Sequence, residues 1–152
     1  MTTMVGTQKN FIDAVKELIE LDYDAIAAYK AAINNLEDSG YKKKLEEFKA
    51  DHQRHITELS EFLSKNNEEA PTGPDNTKHF LAEGKVKLAS LFGDQKILTA
   101  MLTNEEDTNT AYERMNSRTS ESSDAQIAKI ITHGLEDEKK HKKWIQDNIA
   151  KK

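Results

Sequence analysis

The sequence predicts an all-α fold, a bundle of four long helices with a long crossover between the second and third that carries a short extra helix. Three observations point to it. Two prolines and six glycines in 152 residues leave long stretches without a breaker, and those stretches are rich in Ala, Leu, Glu and Lys, which favour helix. Apolar residues recur alternately four and three apart in four separate stretches, the spacing of a buried helical seam. Nowhere do four or more residues alternate cleanly with β-branched enrichment, as a half-buried strand would require.

The first helix is expected from about Thr7 to Leu36, stopping at "EDSG", where Gly40 would serve the chain reversal. The second is expected from about Tyr41 to Lys65, before "NNEEAPTGPDN", which holds both prolines and reads as a loop. A shorter helix over about Thr77 to Phe92 follows. The third long helix begins after Gly93, with Asp94 as its N-cap, and runs to about Asn116. The fourth begins near "SSDAQ", where Ser123 and Gln126 have capping-box spacing, and continues to the C-terminus. Two helices, a long connection and two more helices form a bundle with a crossover. A chain of 152 residues can build one core and is too short for two, so 1–152 is read as one domain.

Composition narrows the function. With a formal charge of −5 no basic patch outweighs the acids, which argues against nucleic acid as a partner. The absence of cysteine excludes disulfides, thiolate metal sites and thiol catalysis. No apolar run approaches the roughly 20 residues of a membrane span, and "MTTMVGTQKNF" lacks the layout of a signal peptide. A soluble cytoplasmic protein is the expectation.

The seams hold the chemistry. In the first helix the seam is Phe11, Val15, Leu18, Asp22, Ala25, Tyr29, Ala32 and Leu36. In the second it is Tyr41, Leu45, Phe48, His52, His55, Leu59 and Phe62. The third gives Leu98, Met101, Glu105, Thr108, Tyr112 and Met115, and the fourth Ile127, Ile131, Gly134, Glu138, His141 and Ile145. Each seam is apolar at both ends and ionisable in the middle. A buried, unpaired carboxylate is costly enough to change its protonation state or find a partner. Four helices that break the apolar rule near mid-length therefore predict that the exceptions meet. Together they supply three carboxylates (Asp22, Glu105, Glu138) and three imidazoles (His52, His55, His141). Nitrogen and oxygen donors without thiolate suit iron, manganese or zinc. The alternative is a metal-free core network in which histidines and acids satisfy one another.

The halves of the chain also repeat. "DYDAIAAY" (22–29) and "EEDTNTAY" (105–112) each place an acid seven residues before a tyrosine that follows an alanine. "DHQRH" (51–55) and "DEKKH" (137–141) share their first and last residues and put a second candidate ligand three before the final histidine. An approximate two-fold thus relates one acid helix plus one ligand-x-x-His helix to a second such pair. Tyr29 and Tyr112 read as core residues with a bonded hydroxyl, or as groups that orient a ligand carboxylate. Asp51 and Asp137 lie one step off the seams and read as solvated, with a hydrogen bond to a seam histidine as the alternative. Glu106, Asp24 and Glu58 read as solvated, and His79 and His133 as surface residues. The lysines of "KKHKKW" favour a helix C-terminus through the macrodipole.

On these motifs the chain resembles the ferritin-like superfamily, whose bundles hold two metals between halves built from a Glu on one helix and Glu-x-x-His on the next. The second half matches residue by residue, with Glu105 as the lone acid and Glu138-Lys-Lys-His141 as the paired motif. In the first half "DYDAIAAY" is similar to the bacterioferritin-type stretch Glu-x-x-Ala-Ile-x-x-Tyr, with Asp22 in the acid's place. His55 matches the family histidine, while His52 stands where a bridging Glu is expected. The layout also resembles a group of uncharacterised bacterial ferritin-like proteins.

The resemblance implies a protein that binds one or two ions of Fe, Mn or Zn and oxidises Fe(II) with peroxide or oxygen, or detoxifies peroxide, in stress protection. In it Glu138 is the surviving bridge, His55 and His141 serve one metal each, and Asp22 and Glu105 are terminal acids. A homodimer is compatible with this reading. The rubrerythrin-type CxxC pair is missing, so electrons would come from elsewhere, and no helix beyond the fourth points to a large storage cage. Four carboxylates balance two divalent ions, whereas three leave about one positive charge, which a bridging hydroxide could neutralise. A single metal on Glu105, Glu138, His141 and one neighbour is therefore a second expectation. A helical stress or interaction module that keeps the bundle without metal or catalysis is the alternative function.

Overall fold

The structure, a computed structural model, describes residues 3–73 and 93–149. Among these there are four α-helices, α1 (Phe11–Asn35), α2 (Ser39–Lys65), α3 (Asp94–Asn116) and α4 (Gln126–Ile149), a short 3-10 turn at Thr119–Glu121, and no strand. The expected crossover helix over 77–92 and His79 lie outside the described residues.

The helix ends show how side chains set boundaries that periodicity leaves open. Asn10 caps α1 by accepting from the Asp13 N–H at 3.1 Å, so the helix starts later than Thr7. The preceding segment is held instead by α3: Arg114 donates to the carbonyls of Thr3 and Val5, and Val5 is buried. Gly6 permits this close approach, since its φ is +96° and a Cβ there would lie 2.7 Å from Arg114 Cβ. Asp38 caps α2 by accepting from Tyr41 N–H at 2.9 Å, which places Gly40 inside the first turn rather than at the reversal. Asp94 does not cap its own helix. Gly93 takes that position, and the Asp94 carboxylate accepts the N–H groups of Glu37 and Asp38 at 2.8 and 3.0 Å, pinning the start of α3 to the α1–α2 turn. At α4 the capping oxygen is that of Asp124, 3.0 Å from Gln126 N, and Ser123 is exposed.

These ties also fix the helix directions. Asp94 meets the α1–α2 turn and Gln95 donates to the Asn148 carbonyl at one end of the bundle. Lys65 meets Gln126, and Asn66 meets Asp124, at the other. The helices therefore run up, down, down and up, and the end of α2 and the start of α3 lie at opposite ends of the bundle, about 37 Å apart for a 25-residue helix. Helix α1 packs on α2 and α3, and α4 packs on the same two.

Every seam residue is buried except Tyr41, which is half-buried against Trp144. Phe11 meets Phe62 edge-on, with Val15, Leu59, Met115 and Ile127 filling the lower layers; Ala32, Leu36, Leu45, Leu98 and Ile145 fill the upper ones. The apolar layers hold the helices on both sides of the polar one, so the middle of the bundle can carry charge. No described helix is long and apolar enough to cross a membrane.

Candidate metal centre

Two turns of helix separate Asp22 from Tyr29, and Glu105 from Tyr112, so each acid and its tyrosine share a face. One turn separates His52 from His55, and Glu138 from His141, with the same result. The faces meet in one layer, and none of Asp22, His52, His55, Glu105, Glu138 and His141 exposes more than 2% of its surface. All six expected residues converge. They form two overlapping groups, Asp22–His52–His55–Glu138 and His52–Glu105–Glu138–His141, in each of which one nitrogen or oxygen per residue lies within 4.8 Å of the others.

The two-fold suggested by the repeats is present in the contacts, with each half reaching across to the other. Tyr29 donates to Glu105, and Tyr112 donates to Asp22 at 2.7 Å. His55 Nε2 lies 3.0 Å from Asp137 Oδ2, and His141 Nε2 lies 2.8 Å from Asp51 Oδ2. The reading of Asp51 and Asp137 as solvated is thus corrected: Asp137 is buried, Asp51 half-buried, and each holds the other half's terminal histidine. The shared first residue of the two repeats was the signal. Single-helix periodicity missed it because a helical step off the seam points between neighbouring helices, not outward. Arg54 donates to both aspartates. Asp24 and Glu58 are half-buried, and Glu106 and His133 are exposed as expected.

Two further groups join the site, Thr108, which the seam placed inside without a role, and Asn109, which had no sequence signal. Thr108 Oγ1 stands 2.9 Å from Glu138 Oε2 and 3.1 Å from both Glu105 Oε2 and the Glu105 carbonyl, so its one hydrogen can serve either acid or the backbone. Asn109 Nδ2 reaches the backbone carbonyls of both Glu105 and Glu138, at 2.8 and 3.0 Å, locking α3 to α4 at the site. Gly134 makes room for a tyrosine: a Cβ there would lie 2.5 Å from Tyr112 Cε1.

Within this bonded layer four buried atoms have no hydrogen-bond partner: His52 Nε2, His55 Nδ1, His141 Nδ1 and Glu138 Oε1. An unsatisfied buried polar atom costs roughly 1–3 kcal/mol. In each histidine the other nitrogen faces an aspartate that can only accept, so that nitrogen carries hydrogen and the inward one presents a lone pair in the neutral ring. Neutral imidazole nitrogen and carboxylate oxygen, turned inward and unpaired, are what an iron, manganese or zinc ion binds. The residues present fit such an ion.

Electrostatics without an ion is a standoff of opposite charges. Burial pulls the His52 pKa down, but the Glu138 charge and hydrogen bonds with Asp22 and Glu105 raise it to about 10. His55 rises to about 9 against burial through Asp137 and Asp22, and His141 rises through Glu105 and Asp51. Burial together with the Glu105 charge pushes Glu138 up to about 6. Burial would raise Glu105 and Asp22 too, yet the histidines beside them hold both below the usual carboxylate range. Tyr29 and Tyr112 are raised well above 10, first by burial and then by the acids they donate to, so both stay neutral donors.

A family model described as "Domain of unknown function (DUF2383)" matches residues 10–118. No curated protein matches the chain. Among solved structures the chain is similar to one titled "Crystal structure of ferritin like, diiron-carboxylate proteins from Bacillus anthracis str. Ames". The two are 17% identical over 91% of this chain and 94% of that one, with a TM-score of 0.74. At that identity the likeness shows the fold, a ferritin-like bundle. The family match ends before α4, so Glu138 and His141 lie beyond it.

Proposed function

This chain belongs to the DUF2383 family and folds as a ferritin-like bundle, and from that premise we propose that it binds one or two ions of Fe, Mn or Zn in its central layer, as one domain over 1–152. The observation that carries this reading is the set of four buried donor atoms without a partner, on His52, His55, His141 and Glu138. Glu138 offers an oxygen to each group and is the shared residue; His55 and His141 serve one group each, and His52, Glu105 and Asp22 complete them.

Iron held there would supply electrons for reducing peroxide or oxygen, one for each Fe(II) oxidised, which suits a role in oxidative-stress protection, proposed here for the cytoplasm. The chain's own residues do the rest. Phe48 stacks on His141 at 4.2 Å and packs against Trp144, excluding bulk water from the layer. Asp51 and Asp137 hold the outer nitrogens of His141 and His55, fixing ring orientation and tautomer. Tyr29, Tyr112 and Thr108 keep the carboxylates aimed inward.

A second reading, a metal-free helical module, is favoured by the mutual neutralisation of the three histidines and the acids. Metal analysis of protein purified without chelator, followed by the rate of Fe(II) oxidation by peroxide in wild type and Glu138→Ala, separates the two. Retained metal and a faster rate that Glu138→Ala abolishes support the centre. Metal-free protein that leaves the rate at that of buffer supports the module.

A further inference from the structure

The geometry points to one tight ion per chain, held by His52 Nε2, His141 Nδ1, Glu105 and Glu138, with Asp22 positioning His52 rather than contacting the ion. This deepens the metal-centre reading and rests on it. The hydrogen bond of His52, not the other donor separations, distinguishes the two groups. Four ligands about 2.1 Å from an ion in tetrahedral array stand about 3.4 Å from one another. In the Glu105 group the separations are 3.5 Å for His52 Nε2–Glu105 Oε1, 3.6 Å for His141 Nδ1–Glu105 Oε1 and 3.6 Å for His141 Nδ1–Glu138 Oε2. In the Asp22 group the separations are 3.4 Å for His52 Nδ1–Glu138 Oε1 and 3.5 Å for both His55 Nδ1–Asp22 Oδ1 and His55 Nδ1–Glu138 Oε1, but His52 Nδ1 also lies 2.8 Å from Asp22 Oδ1, which is a hydrogen bond. A proton stands between that pair.

An imidazole has one lone pair to give when its other nitrogen carries hydrogen. His52 therefore serves one group only, and its hydrogen bond to Asp22 turns the lone pair toward Glu105 and His141. Asp22 does for His52 what Asp137 does for His55 and Asp51 does for His141, so three carboxylate–histidine pairs point three bare nitrogens inward. The tyrosines do not tell the acids apart, since Asp22 and Glu105 each accept from one. His52 does: in the neutral ring that an ion would bind, it presents a lone pair to the Glu105 side and a proton to the Asp22 side. The first side then has two nitrogens and two carboxylates, whose oxygens there accept from Tyr29 and Thr108. The second keeps one nitrogen, His55 Nδ1, 3.5 Å from both Glu138 Oε1 and Asp22 Oδ1, the latter bonded to His52, so it is one nitrogen short of the first. With three carboxylates in the layer, a second divalent ion would also add uncompensated positive charge beside the first.

Anaerobic titration of the full chain with Zn(II), with the imidazoles on the ion counted by X-ray absorption, tests this. Wild type should bind one zinc per chain with two imidazoles. Asp22→Asn, which still accepts the His52 N–H, should keep one zinc and both imidazoles with affinity down roughly 10–100-fold, the usual effect of an outer partner. His52→Gln should leave one imidazole on the ion and lose more affinity than that. His55→Gln, on the far side, should keep one zinc and two imidazoles, and serves if Asp22→Asn does not fold. Two zincs in wild type falling to one in Asp22→Asn, or an imidazole lost in His55→Gln, overturns the assignment while the metal centre stands. No zinc in wild type overturns both.

Discussion

His52→Glu probes the site most sharply, because it changes charge where His52 touches all three seam acids. His52 lies 2.8 Å from Asp22, 3.4 Å from Glu138 and 3.5 Å from Glu105, and its pKa of about 10 keeps it cationic at neutral pH without metal. The variant swaps that cation for a potential anion. Two unit charges 4 Å apart interact by about 4 kcal/mol at an effective dielectric constant near 20. Three such repulsions exceed the roughly 3.7 kcal/mol needed to protonate a Glu of ordinary pKa at pH 7, so the new carboxyl takes up a proton instead. The metal-free variant should thus lose about 4 kcal/mol at pH 7 through that proton alone, or roughly 8–16 °C in Tm for a chain of this size, and the His52 contribution besides. At pH 5 protonation costs only about 1 kcal/mol, so that part of the loss should return, while the His52 contribution, full below pH 6.5, stays lost. Bound metal removes the need for that proton, and an added site filled at a hundred times its Kd contributes about 2.7 kcal/mol more. Thermal melts at pH 5 and 7 with and without Mn(II), together with metal stoichiometry, read this out. A metal-dependent recovery with occupancy rising toward two is expected. Equal melting with and without Mn(II) at pH 7, below wild type, would refute the reasoning.

Glu138→Ala should weaken Mn(II) or Zn(II) binding more than Asp22→Ala does, because Glu138 faces both groups while Asp22 is short and bonded to His52; calorimetry giving equal losses would contradict this. The metal-free protein should lose stability as the pH rises from neutral to 10. His52 and His55 have folded pKa values near 10 and 9, above the unfolded value of 6.5, so their contribution is full below 6.5 and gone above 10. Glu138, raised to about 6, adds to the same trend from pH 4.5 upward, whereas Asp137, lowered to about 2, loses its contribution only in strong acid. Urea midpoints in chelator that stay flat from pH 6.5 to 10 would count against the charged network. Gly134→Ala should cost about 1–3 kcal/mol by overpacking, since its Cβ would meet Tyr112. Because that ring holds Asp22, metal affinity should fall with Tm, and an unchanged melt would show that Tyr112 is free to shift.

The architecture could be read from the sequence because a bundle seam is a periodic signal, and periodicity tolerates local exceptions. The same exceptions marked the candidate site: Asp22, His52, His55, Glu105, Glu138 and His141 stood as ionisable residues where apolar ones belonged. What escaped was whatever depends on a neighbouring helix. Asp51 and Asp137 look solvated on a helical wheel, and only the packing of α2 beside α4 shows each reaching the opposite histidine. Asp94 looks like a cap for its own helix, yet its carboxylate serves the backbone of a turn more than fifty residues earlier. Thr108, suited to a core by size alone, gains its place between two acids from the fold.

Anomalous scattering from crystals grown with Mn(II) or Zn(II) tests the central claim, that the buried layer of carboxylates and imidazoles is a metal centre. One strong peak among His52, Glu105, Glu138 and His141, in contact with Glu138, is the predicted result. Peaks confined to surface acids, with the four inward donor atoms still facing one another across a layer that holds no ion, would contradict it.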